Sequence, residues 1–140
     1  MRRCLLFISL TLLLCLEVAG QEYNLLMQVR GRELTGVCVM DSRPDGSIMG
    51  TVVSEFGMKA FDFTYTNGKA KVLNVVSFLN KWYIRKVLRK DLAFILSNLP
   101  QGQTVENKKR KITFSPDGRI DVVNGKFNIR YTFTPMPSEQ

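Results

Sequence analysis

The chain has 140 residues, 45% of them hydrophobic and 23% charged, which fits one globular domain and excludes disorder for most of its length. It contains no histidine, so Ser-His-Asp and Cys-His catalysis and every histidine metal site are excluded. Twenty Lys and Arg against 12 Asp and Glu give a net charge of +8, which favours anionic partners.

The N-terminus reads as a cleaved secretory signal over residues 1–20. Arg2 and Arg3 are followed by the apolar run Leu5–Leu16, then by the small residues Val18-Ala19-Gly20. The run is short for a spanning helix, which needs about 20 apolar residues. Cleavage after Gly20 directs residues 21–140, a single domain, to the periplasm or outside the cell. The minority reading is an outer-membrane lipoprotein acylated at Cys15. Against it, Leu14 is bulky where a lipoprotein signal wants a small residue. Cleavage after Gly20 would leave Cys38 alone in the mature chain, so no internal disulfide is expected. Flanked by Val37 and Val39, Cys38 reads as a small core residue in a strand and not as a nucleophile.

Strands come first. Tyr23–Arg30 and Leu34–Met40 flank the turn Arg30-Gly31-Arg32. Arg43-Pro44-Asp45-Gly46 then turns the chain into Ile48–Glu55. Phe61, Phe63 and Tyr65 alternate with Asp62 and Thr64, which places the aromatics on one face of a strand. Asn67-Gly68 is a strong hairpin signal, and Lys71–Val76 is the returning strand.

The period then changes. Asn80 is the expected N-cap of a helix over Lys81–Ser97. Within it Ile84, Val87, Leu88, Leu92, Ile95 and Leu96 recur at spacings of three and four, one apolar face of a helix. Pro100 and Gly102 stop it. Val105–Phe114 reads as one strand, Ser115-Pro116-Asp117-Gly118 as a turn and Ile120–Val123 as a strand. After Asn124-Gly125, Phe127, Ile129, Tyr131 and Phe133 alternate with polar residues in the last strand. The expected fold is α+β and mainly β: a curved antiparallel sheet, or incomplete β-barrel, of about eight strands wrapped on one main helix.

Lys81, Arg85, Lys86, Arg89 and Lys90 share one side of the expected helix, opposite its apolar stripe. A second basic run is Lys108-Lys109-Arg110-Lys111. An exported protein rarely meets nucleic acid, so no nucleic-acid partner is expected. An anionic membrane surface or lipid head group fits the compartment better. The competing reading is a solvated helix face and a charged strand end that discourages edge pairing.

Catalytic signals are weak, and the chain is not expected to be an enzyme. Asp41, Asp45, Asp62, Asp117 and Asp121 are scattered, and turn chemistry explains Asp45 and Asp117. No Walker loop, dinucleotide fingerprint or metal-ligand spacing is present, so neither cofactor nor metal is expected. The aromatics, with Met27, Met40, Met49 and Met58, either fill the core or line a cavity for an acyl chain.

Gly50-x-Val52-x-x-x-x-Gly57-x-x-x-Phe61-x-Phe63, followed by Asn67-Gly68, a strand and the helix, resembles the centre of the periplasmic lipoprotein-carrier superfamily, the LolA/LolB-like proteins. The likeness is closest to small bacterial relatives and covers roughly residues 33 to 98. It implies an unclosed antiparallel barrel capped by helix, holding lipid or lipoprotein acyl chains for envelope trafficking without catalysis. Lipid-binding positions would then fall at Val53, Phe61, Phe63, Tyr65, Leu88, Leu92 and Phe94, placed by alternation along strand and helix. The mature chain is shorter than the well-studied carriers, and its sequence offers no clear counterpart of the receptor's protruding apolar loop. The alternative function is a non-catalytic envelope module that docks a protein partner.

Overall fold

The computed structural model describes residues 20–137. The expected signal segment, Cys15 included, lies outside them except for Gly20. Five strands come first: β1 (Gln21–Val29), β2 (Arg32–Ser42), β3 (Ile48–Ser54), β4 (Lys59–Thr66) and β5 (Lys69–Leu73). Helix α1 (Trp82–Asn98) follows. Then come β6 (Val105–Asn107), β7 (Arg110–Phe114), β8 (Ile120–Asn124) and β9 (Ile129–Pro135).

All nine strands form one sheet in the order β5-β4-β3-β2-β1-β9-β8-β7-β6. Every neighbouring pair is antiparallel, because two meanders meet along β1 and β9, where Leu25 sits opposite Phe133. The edges β5 and β6 do not pair, so the sheet is not closed into a barrel. Among the described residues the fold is thus mainly β with one helix, as expected, but with nine strands instead of about eight.

The extra strand comes from Val105–Phe114. Lys108 and Lys109 adopt φ of 49° and 69°, and this two-residue left-handed turn folds β6 back on β7. Lysine has no preference for that conformation, so the sequence carries no turn signal there. The hairpin at Asn67-Gly68 follows its sequence signal, with φ of 52° and 80°. Both Pro-Asp-Gly turns form as expected, the aspartates accepting the backbone N–H of Ser47 and Arg119.

Other boundaries move for local reasons. Asn80 is not the N-cap: Lys81 occupies that position with no side-chain cap bond, and Asn80 Oδ1 accepts from Arg85 instead. The helix runs one residue past Ser97 to Asn98, whose amide donates back to the Phe94 carbonyl. Phe127 belongs to a turn, because Asn124 Oδ1 accepts the N–H groups of Lys126 and Phe127 and delays the last strand to Ile129.

The core lies on one face of the sheet. Tyr23, Leu25 and Met27 of β1, Phe61 and Phe63 of β4, and Tyr131 and Phe133 of β9 are buried at alternating positions with Leu88, Leu92, Ile95 and Leu96 of α1. Each large side chain buried this way contributes roughly 1.5–3 kcal/mol. Alternation is broken once. Val52 pairs with Phe61 and Val53 with Lys59, so Ala60 is an inserted residue and both Ala60 and Phe61 are buried. Gly50 faces Phe63 across β3 and β4, and a Cβ at Gly50 would overlap the Phe63 ring. The glycine and second phenylalanine of the sequence motif are therefore one cross-strand pair.

Candidate functional site

The residues expected to bind an acyl chain are mostly brought together. Phe61 and Phe63 are 1% exposed, with ring centroids 6.4 Å apart. Leu88 and Leu92 reach the same cluster from α1, and the half-buried Tyr65 and Phe94 pack against it. Val53 is the exception. Val52 takes the inward position, and Val53 lies on the opposite face beside its register partner Val37.

These side chains pack into one buried cluster between the sheet and the helix. A shallow cleft of about 400 Å³ opens on the other face, lined by Leu26, Thr35, Val37, Glu55 and Thr132. It is a half-buried strip of the outer sheet surface, with Glu55 exposed at its edge.

The polar centre of the molecule is Asp91, which sequence reasoning missed. It is 1% exposed on the inward side of α1. Its Oδ1 accepts from Arg110 Nε of β7 at 2.8 Å and from Asn124 Nδ2 of β8 at 2.8 Å. Its Oδ2 accepts from the Tyr131 hydroxyl of β9 at 2.6 Å. Burial, and then the Asp91 charge, push the Tyr131 hydroxyl well above its ordinary range, so it stays a donor. The signal was available: Leu88, Asp91, Leu92 and Ile95 follow the i, i+3, i+4, i+7 spacing, so an acid stands within the apolar stripe.

Asp91 ties one helix to three strands. Its side-chain partners among the described residues are Arg110, Asn124 and Tyr131, none of them a carboxylate. Among the described residues, no group of three or more Cys, Asp and Glu is placed to hold a metal. The Cys38 thiol is buried and pushed up to about 12 by that burial, so it is a protonated core residue.

The basic residues divide. Lys81, Arg85, Lys86, Arg89 and Lys90 are all exposed, and none forms a salt bridge among the described residues. Beside them Phe78, Trp82 and Tyr83 are exposed by 61%, 70% and 48%. In the second run, Lys108 and Lys109 form the β6–β7 turn and Lys111 is exposed, while Arg110 turns inward to Asp91. That run is therefore broken by one structural arginine.

One exposed apolar tip was not anticipated. Phe56, in the turn between β3 and β4, is 84% exposed, and Met58 beside it is 59% exposed.

No family model matches the chain, and no curated protein matches it. The resemblance to lipoprotein carriers is thus a reading of the sequence motif alone.

Proposed function

We propose that the protein is a non-enzymatic carrier or receptor for lipid or lipoprotein acyl chains, exported by its N-terminal signal to the periplasm or cell exterior. In this reading the open sheet curves as an incomplete barrel around α1, and cargo lies between the two. One observation carries the reading: Phe61, Phe63, Leu88 and Leu92 form a continuous apolar layer between an unclosed sheet and α1. The lining at Phe61, Phe63, Leu88 and Leu92 is apolar and suits acyl chains better than a polar substrate, while Asp91 and its three donors stand in the same core toward β7, β8 and β9. Because side chains fill that layer, cargo enters only if α1 moves away from the sheet, and the Asp91 contacts set the cost of that movement.

The test is native mass spectrometry of the protein exported to a bacterial periplasm, with lipid extraction of the same preparation. The expected result is a stoichiometric phospholipid or acyl-chain adduct that organic solvent removes. An unliganded mass that does not change after incubation with lipid would overturn the reading.

A second reading is a non-catalytic module that docks a protein partner of the envelope. Phe56 and Met58 favour it, because two large apolar side chains stand exposed together at one turn tip, where a partner could cover them.

A further inference from the structure

We infer that the N-terminal half of α1 is a docking face for an anionic phospholipid bilayer, with Trp82 and Phe78 as its aromatic anchors. Three features of this face converge. Its charge has one sign: the five exposed cations between Lys81 and Lys90 run along about 13 Å of helix, and no acid lies in the first turn. Its aromatics point outward, Trp82 and Phe78 being 70% and 61% exposed. Its position is the solvent side of a helix whose buried residues, Leu88, Asp91, Leu92, Ile95 and Leu96, are already committed to the core.

That chemistry selects the occupant. A free phosphate or a small anion is held by convergent donors in a concavity, whereas these five cations are all exposed and spread along the helix. A row of cations with tryptophan and tyrosine among them matches a plane of lipid phosphates over an apolar boundary. Trp82 and Tyr83 stack edge to face, centroids 5.8 Å apart, which holds the indole in a defined position at the surface.

The inference deepens the carrier reading by naming the surface from which cargo is taken. It does not depend on cargo being loaded. Trp82 is the only tryptophan of the chain, so its emission reports this face directly. The experiment mixes the protein with phosphatidylcholine vesicles, with and without phosphatidylglycerol, and follows Trp82 emission and co-sedimentation. The expected result is a blue shift and pelleting with the anionic vesicles alone, both reversed by salt. Neutralising Arg85, Lys86 and Arg89 together to Gln, all exposed positions, should lower partitioning about 100-fold with an unchanged circular dichroism spectrum.

Three results would overturn it: no shift with anionic vesicles, an equal shift with both vesicle types, or undiminished binding by the folded triple variant. Lipid in the supernatant without a Trp82 shift would refute docking and leave the carrier reading intact. Pelleted protein that carries no lipid after salt releases it from the vesicles would do the reverse.

Discussion

Asn124 donates its amide hydrogen to Asp91 Oδ1 at 2.8 Å while its own Oδ1 accepts the N–H groups of Lys126 at 3.1 Å and Phe127 at 3.3 Å. One side chain thus shapes the β8–β9 turn and fastens the helix to it. Arg110 and Tyr131 complete the tie from the adjoining strands. A buried carboxylate with three donors is costly to desolvate, and it holds α1 in one register over the sheet.

Removing the anion strands its donors. Asp91→Ala should lose about 3–5 kcal/mol, because Arg110 is left with an uncompensated charge and Asn124 and Tyr131 with unpaired groups. Urea unfolding reads this as a lower midpoint. A double-mutant cycle with Asn124→Ala should show coupling of about 0.5–3 kcal/mol. Additive losses would mean that the two residues act independently.

Alkaline stability should depend on Tyr131. Its pKa is raised above 10.0, first by burial and then by Asp91, with Arg110 opposing. Below pH 10 the hydroxyl is protonated in both states, so its contribution is complete. Above that value the unfolded chain releases the proton first, the folded state binds more protons, and stability falls with rising pH. Tyr131→Phe should flatten this alkaline slope in chemical denaturation, at a cost of about 1–3 kcal/mol at neutral pH. An unchanged slope in the variant would contradict the assignment.

Acid stability should depend on Asp62. Burial pushes its pKa up, but hydrogen bonds from Asn74, Thr51 and Lys59 outweigh it, and the net shift is below 3.8. These bonds, on the outer face of the sheet, link β3, β4 and the segment after β5. The contribution is present above the unfolded value and is lost as pH falls through the folded one. Asp62→Asn should unfold with a shallower pH dependence below 3.8 than the parent protein.

Gly50→Ala should destabilise by about 1–3 kcal/mol through overpacking, because the new methyl meets the Phe63 ring. Thermal unfolding checks it. Combining Gly50→Ala with Phe63→Leu should recover part of the loss, since the smaller side chain leaves room.

Much of the sheet was legible because its signals are local. Asn67-Gly68, the two Pro-Asp-Gly turns and the alternation of Phe61, Phe63 and Tyr65 each act within a few residues. The Lys108-Lys109 turn was not legible, since strand pairing imposes a left-handed backbone on residues that do not favour it. Val53 was placed with the core, yet Val52 takes the inward position and the Ala60 bulge resets the facing strand. Asp91 was missed because its partners lie 19, 33 and 40 residues away. The acid is visible in the helix pattern, but the donors that make burial tolerable come from β7, β8 and β9.

In the proposed carrier an acyl chain lies between the sheet and α1. The most direct measurement is photolabelling with a fatty acid carrying a diazirine on its chain, followed by peptide mapping with and without excess unlabelled fatty acid. The account expects competed label on β4 around Phe63 and on α1 around Leu92. Label confined to the outer cleft at Leu26 and Val37, or label that the competitor does not displace, would contradict it.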